Sequence, residues 1–403
     1  MLRTFFATSA KGLEEVLVRE LAALGAREVK PTRAGASFRG DLATAYAVCL
    51  GSRVASRVLL PLKTFPAPNP EKLYGGCKSI RWSDHLSART TLAVDFASTQ
   101  SAITHTHFGA LKVKDAIVDQ LRSTQGERPS VDTQDPDVRI NVYVRKDEAT
   151  VSIDLSGQSL HRRGYRDESV PAPLKENLAA ALLLMAHWDE RSAEGAAFID
   201  PMCGSGTLVV EAALMAGGVA PGLLRERFGF ERWLGHDPKL WEKVRAEADA
   251  KAGAAHADRL PRIVGYDRDP RAIRAAWIHA ERAGVKDWVH FERRDFSALE
   301  PVESRAAENA VKGLVVMNPP YGERLGETEE LKPLYASIGD VLKKRFPGWE
   351  GYVLTSNPDL ARTIRLDPSR KFVVWNGALE CRLLRYEMFG GSRRRNPVAP
   401  QDA

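Results

Sequence analysis

Asn318-Pro319-Pro320-Tyr321 close the apolar run Gly313-Leu314-Val315-Val316-Met317 and are followed by Gly322. An amide oxygen, a rigid carbonyl and an aromatic ring in that order suit the activation of an aromatic amine. The lone pair of a nucleobase amine is delocalised into the ring and attacks poorly. If the Asn318 side-chain oxygen and the Pro319 carbonyl each accept one N–H, the nitrogen is drawn toward tetrahedral geometry. Its lone pair is then aimed at an electrophilic methyl carbon. Pro319 and Pro320 fix φ and place no backbone donor beside those acceptors. Tyr321 offers a face for an extruded base, a contact worth about 1–3 kcal/mol on other stacking platforms. Such a displacement relies on positioning more than on a general base. A Pro-rich turn after a strand would read the same, so the remainder of the chain has to decide.

Ile199-Asp200-Pro201-Met202-Cys203-Gly204-Ser205-Gly206-Thr207-Leu208 closes one strand and opens an apolar helix. Gly204 and Gly206 let the backbone turn sharply and approach a ligand, with helix N–H groups behind them. Asp200, Pro201, Cys203, Gly204, Gly206 and Thr207 are the expected cofactor residues of this loop. The third glycine of the dinucleotide fingerprint is missing, which counts against a nicotinamide cofactor. The next strand ends in Asp267-Arg268-Asp269-Pro270. A carboxylate at 267 can take both hydroxyls of an adenosine ribose, with Arg268 beside it, while Asp269 suits a helix cap before Pro270. The third strand ends in Arg294-Asp295-Phe296, where Asp295 could meet an adenine amino group and Phe296 its ring. Acids at successive strand ends mark the crevice where doubly wound sheets bind ligands.

These residues need a scaffold. Strands are expected at Phe198–Met202, Ile263–Asp267, Val289–Arg293, Gly313–Asn318, Tyr352–Thr355, Phe372–Trp375 and Cys381–Phe389, separated by long helical patterns. The fold class is therefore α/β, a Rossmann-like seven-stranded sheet over residues 167–390. An α+β region precedes it. Residues 1–60 read as strand, helix, strand, helix, the first helix stopped by Gly25 and the second running from about Asp41 to Arg57. Pro61, Pro66, Pro68 and Pro70 punctuate a linker. Residues 61–166 form a second α+β domain with strands at Thr91–Phe96, Arg139–Val144 and Thr150–Leu155. Its helix, Phe108–Leu121, should bury Leu111, Ile117, Val118 and Leu121. A Pro-containing junction falls at 170–173, and the tail 391–403, with Arg393-Arg394-Arg395, reads as disordered.

The 403 residues are 44% apolar and 27% charged, enough for two or three globular cores. No apolar run reaches the length of a membrane helix, and the charged residues soon after Phe6 do not read as a secretion signal. The four cysteines lack paired spacing and read as reduced thiols in a cytoplasmic protein, with no metal site. His105 and His107 likewise read as structural. Residues 1–166 hold 24 Lys and Arg against 17 Asp and Glu, so the net charge of +6 lies wholly in that part. That asymmetry points to a polyanion-binding module, with Lys112, Lys114, Arg162, Arg163 and Arg166 as phosphate contacts.

Asp-Pro-Met-Cys-Gly-Ser-Gly-Thr at 200–207 together with Asn-Pro-Pro-Tyr-Gly-Glu-Arg-Leu at 318–325 resembles the THUMP-containing class I RNA methyltransferases. Within them the chain is most similar to the family that makes N2-methylguanosine in 23S ribosomal RNA, matching the first half of the fused bacterial enzymes. Phe5-Phe6-Ala7-Thr8, Leu111–Asp119, Asp154-Leu155-Ser156-Gly157, Leu160–Arg166 and Asn376–Cys381 carry the likeness beyond the two motifs. It implies a ferredoxin-like region over 1–60, a THUMP domain over 61–166 and S-adenosylmethionine as cofactor. It also implies that Lys175 and Asn177 form a cofactor lid. RNA is the implied partner, as 23S ribosomal RNA or a pre-50S particle. Transfer-RNA guanosine N2-methyltransferases share both motifs, so the motifs leave that substrate open. A DNA adenine N6-methyltransferase fits the tetrapeptide but not the basic module ahead of it. A non-catalytic assembly factor would not need intact motifs.

Overall fold

The computed structural model describes residues 2–166, 174–253, 260–322 and 327–389. The junction at 170–173 and the tail from 391 lie outside them. The chain forms two compact units. The first comprises Met1–Arg166, Glu176–Ala181 and Gly218–Ala254, and the second Asp167–Lys175, Leu182–Gly217 and Ala255–Ala403.

In the first unit the order is β1 (Arg3–Thr8), α1 (Glu14–Ala23), β2 (Arg27–Thr32), β3 (Gly35–Gly40), α2 (Leu42–Gly51), β4 (Arg57–Pro66), α3 (Pro70–Lys78), β5 (Thr91–Thr99), α4 (Thr106–Gln125), β6 (Ser130–Val131), β7 (Val138–Arg145) and β8 (Glu148–Asp154). One eight-stranded sheet runs β2-β3-β1-β4-β8-β7-β5-β6. The expected linker is therefore largely a strand. β4 pairs with β1 through Arg57–Leu59 and with β8 from Leu59 to Pro66, so the sheet is continuous across residue 60. Pro61 is tolerated because the register shifts between it and Lys63, which absorbs the missing N–H. Asp41 caps α2 by accepting from the Thr44 amide at 2.9 Å, as its position suggests. The helix stops at Gly51 rather than Arg57, because Arg57 already belongs to β4.

The buried face of α4 also differs from expectation. Gly109, Val113, Ala116, Ile117 and Leu121 are buried, while Leu111 is 41% exposed. The stripe lies along Val113–Ile117–Leu121, which rotates Leu111 outward. His105 caps this helix, its ring nitrogen accepting from the Phe108 amide at 3.0 Å.

Elements α5 (Glu176–Met185), α6 (Trp188–Ala193), β9 (Ala197–Asp200), α7 (Thr207–Ala216) and α8 (Pro238–Gly253) follow, α8 lying in the first unit. Then come β10 (Ile263–Asp267), α9 (Pro270–Arg282), β11 (His290–Arg293), β12 (Gly313–Met317), α10 (Glu327–Arg345), β13 (Glu350–Thr355), α11 (Pro358–Thr363), β14 (Arg370–Asn376) and β15 (Leu379–Glu387). The second sheet runs β11-β10-β9-β12-β13-β15-β14. β11 to β13 are mutually parallel, and β15 is antiparallel to both β13 and β14. From β9 the chain builds outward through β10 and β11, then returns to place β12 on the other side. The order reverses between β9 and β12, and that switch point is where such sheets open a ligand crevice.

Candidate active site

β9 and β12 run side by side with Val315 opposite Ile199, so their carboxyl ends are neighbours. The glycine loop leaves one and the Asn-Pro-Pro-Tyr corner leaves the other. Every residue of β9 and β12 is buried. Two apolar strands in the middle of the sheet thus fix both motifs at their bases.

The loop turns through two left-handed residues, Gly204 at φ 52° and Gly206 at φ 83°. The Cys203 amide donates to the Tyr266 carbonyl at 2.9 Å and the Gly206 amide to the Cys203 carbonyl at 2.8 Å. No side chain caps α7, whose cap position is Gly206 itself. The positive end of the α7 dipole therefore meets the loop directly.

Asp267 ties the loop to its neighbour. Its Oδ2 accepts from the Gly204 amide at 2.9 Å and its Oδ1 from the Asp269 amide at 2.8 Å. A carboxylate has about four acceptor positions, so two remain for a diol. Asp269 caps α9, accepting from the Arg271 amide at 2.8 Å. Arg268 is exposed, and Arg293 donates to its carbonyl.

Asp200 is 2% exposed. Burial pushes its carboxyl up to about 8, the Asp267 charge adds to that, and one hydrogen bond from the Met202 amide opposes it. Cys203 is buried between these acids and its thiol is pushed up by burial first and then by both of them. Pro201 and Thr207 are buried in the same loop. Asp295 is exposed at the end of β11 and accepts from the Ser297 hydroxyl and amide, which hold its carboxyl below the usual range. Phe296 belongs to the core cluster with Tyr266, Leu299 and Met317, so its ring is a buried packing element more than an open face.

At the corner, the Tyr321 hydroxyl donates to Asn318 Oδ1. The Tyr321 ring is buried in this arrangement. The Tyr335 hydroxyl donates to the Pro320 carbonyl at 3.1 Å, and the Asn357 amide to the Tyr321 carbonyl at 3.3 Å. The Pro319 carbonyl accepts no hydrogen bond among the described residues. Tyr321 and Gly322 line an open cleft of about 780 Å³ with Ser356, Asn357, Pro358, Asn376, Ala378 and Leu379.

Lys175 is exposed just before α5. Asn177 is buried in the first unit, donating to the Val54 carbonyl at 3.3 Å and Ser56 Oγ at 3.0 Å. Arg163 does not face solvent, contrary to expectation. It is 1% exposed, and its guanidinium donates to the Leu160 and Arg53 carbonyls, which leaves it a structural clamp instead of a phosphate contact. Arg166 pairs with Glu176 and Lys114 with Asp115, while Lys112 lies over the Phe108 ring. Arg162 is exposed. His279, Tyr335 and Asn357 were not singled out from the sequence. His279 sits on the buried face of α9 beside Ala276 and Ala280, 2.9 Å from the Ser205 carbonyl, and so braces the loop. Its only signal was helical phase.

Residues 163–385 match the model of the RMKL-like methyltransferase domain, 67–154 that of the THUMP domain and 4–59 that of the RlmL ferredoxin-like domain. The chain belongs to the RMKL-like methyltransferase family. It is 50% identical, over 98% of its length, to the ribosomal RNA large subunit methyltransferase K/L of Syntrophotalea carbinolica, and covers 56% of that protein. The chain thus spans about half the length of the curated relatives it matches. A structure described as a methyltransferase complexed with SAH superposes with a TM-score of 0.83 at 29% identity, covering 97% of this chain and 99% of that one. A structure from Listeria monocytogenes, described as a predicted N6-adenine-specific DNA methylase, gives 0.82 at 32% identity, with 96% and 97% covered. The chain thus holds a class I methyltransferase domain, and the cofactor of that class is S-adenosylmethionine. The residues fit that group: a Cβ at Gly204 would meet nothing within 4 Å, which leaves the loop an open cradle, and Asp267 keeps acceptor capacity beside it. No helix among the described residues is long and apolar enough to cross a membrane.

Proposed function

We propose that this chain methylates the exocyclic N2 amine of a guanosine in 23S ribosomal RNA, acting in the cytoplasm on the free RNA or a pre-50S particle. The observation that carries the reading is the placement of Asn318–Tyr321 at the carboxyl end of β12, next to the glycine loop at the end of β9. S-adenosylmethionine supplies an electrophilic methyl group. The loop residues 200–207 hold the cofactor, with Asp267 on the ribose, Arg268 beside it and Asp295 near the adenine. Lys175, exposed just before α5 in the same unit, completes this set.

Asn318 Oδ1 and the Pro319 carbonyl accept the two N–H groups of the amine and turn its lone pair toward the methyl. Asn318 Oδ1 has a second lone pair for the amine beside the Tyr321 hydroxyl, and a turn of the Tyr321 side chain out of its buried position would bring its ring onto the base. Lys112, Lys114, Arg162 and Arg166, in the part of the chain that carries the positive excess, are the phosphate contacts. The name of the Syntrophotalea relative supports ribosomal over transfer RNA. A DNA adenine target is the second reading, favoured only by the description of the Listeria structure.

The test is transfer of labelled methyl groups to unmodified large-subunit ribosomal RNA, transfer RNA and duplex DNA. Ribosomal RNA should be labelled in preference to both others, and preferential labelling of DNA would refute the proposal. Replacing Asn318 by Ala should leave S-adenosylhomocysteine affinity within about twofold and lower turnover by roughly 10²-fold or more, as expected when a positioning contact at the reacting atom is lost.

A further inference from the structure

We propose that Asn357 and Tyr335 are positioning residues that hold the main chain of the Asn318–Tyr321 corner in register with the incoming amine. This rests on the reading of that corner as the amine-gripping group. The corner is irregular backbone directly after β12, and its two prolines fix φ but not the direction of the next peptide planes. Two side chains from different elements set those planes.

Tyr335, fully buried in α10, donates its hydroxyl to the Pro320 carbonyl at 3.1 Å, with Thr355 Oγ1 3.3 Å away. Burial pushes its phenol up to about 12, so it remains a donor across the working range. Asn357 precedes α11 and uses both ends of its amide. Its Oδ1 caps the helix, accepting from the Asp359 amide at 3.0 Å and the Leu360 amide at 3.2 Å. Its Nδ2 donates to the Tyr321 carbonyl at 3.3 Å and to Thr328 Oγ1 at 3.2 Å.

Capping alone would be met equally well by Asp. Only the amide nitrogen reaches the corner, so the choice of Asn at 357 makes sense for the second task. The Pro319 carbonyl lies between Asn318 and these two anchored peptide groups. Its aim follows from theirs, and an error of about 1 Å in such an acceptor can cost 10²-fold in rate.

Asn357→Asp separates the two tasks, since it keeps the cap and removes the donor. In the full chain, its melting temperature and its affinity for S-adenosylhomocysteine should stay near wild type. Hydrogen exchange at the Tyr321 and Gly322 amides should quicken by roughly fivefold to tenfold, the loss of about one hydrogen bond. On unmodified large-subunit ribosomal RNA, kcat should fall roughly tenfold to hundredfold while KM changes less. Tyr335→Phe should act in the same direction, and Asn357→Asp carries the test alone if that variant does not fold.

A folded Asn357→Asp protein with wild-type kcat, whatever its exchange, overturns the positioning role. If the wild-type chain labels no RNA, the functional reading fails separately. Exchange then decides the anchoring by itself: unchanged rates at 321 and 322 overturn it, and faster rates support it.

Discussion

Asn318 and Tyr321 hold each other before any base arrives, so the side chain that would grip the amine already has a hydroxyl in its place. Each of the two was legible in the sequence, but not this contact, because a strand ending in Asn-Pro-Pro-Tyr gives the order of the groups and not their rotamers. The place of Asp267 beside the glycine loop was legible for the converse reason: a carboxylate at a parallel strand end has few places to point. Arg163 was misread because its charge suggested solvent, whereas the nearby Leu160 carbonyl and the Arg53 carbonyl, 110 residues away in sequence, claim it. Asp200 carries a pH signature. Its carboxyl rises from 3.8 to about 8 in the folded state, so the stability held by the protonated form is complete below about pH 4 and is lost as pH rises through about 8. The wild type should therefore lose stability relative to Asp200→Asn between pH 5 and pH 8, by at most about 1.4 kcal/mol per unit. Thermal melts of both proteins across that range check it, and parallel profiles would contradict the burial of a lone carboxyl.

At the scale of elements, the methyltransferase strands were readable because each is an apolar run between turn signals, and all seven positions hold a strand. β4 was not readable, since its prolines look like punctuation until the register shift that accommodates them is seen. Nor were the partners of the corner, Tyr335 and Asn357, which arrive from α10 and from the loop before α11. The glycine loop depends on element packing as well. A Cβ on Gly206 would lie 2.9 Å from both the Ala276 Cβ and a Phe291 ring carbon, and the residue sits at φ 83°. Gly206→Ala should destabilise by more than the roughly 1–2 kcal/mol of left-handed strain alone and weaken cofactor binding. Gly204→Ala, which meets no neighbour, should cost only the strain, and denaturant titration of the pair separates the two effects. Glu350 fastens β13 to α6 and β15 through Arg191 at 2.7 Å and Arg385 at 2.8 Å. Burial alone would push its carboxyl up, yet bonds from Arg385, Arg191 and Tyr352 bring it down to about 2. Its contribution is present above about pH 4.5 and is lost as pH falls through about 2. Glu350→Gln should cost about 3 kcal/mol at neutral pH, read by urea unfolding, because it takes the charge partner from the buried Arg191 guanidinium, while Arg385 keeps Glu387 at 3.2 Å.

Over the whole molecule, the excess of positive charge lies in the first 166 residues, while the proposed chemistry sits in the second sheet. That division was legible from charge counts and strand spacing. The number of sheets in the basic part was not, because a single ten-residue strand joins what composition alone would divide. The central claim is that two oxygens at residues 318 and 319 select and orient an exocyclic amine of guanine. Nucleoside analysis by mass spectrometry, after incubating the chain with S-adenosylmethionine and unmodified 23S ribosomal RNA, tests this most directly. The expected product is N2-methylguanosine, absent when Asn318→Ala replaces the wild type. Recovery of N6-methyladenosine or a ring-methylated base, or of N2-methylguanosine at undiminished yield from the Asn318→Ala protein, would contradict it.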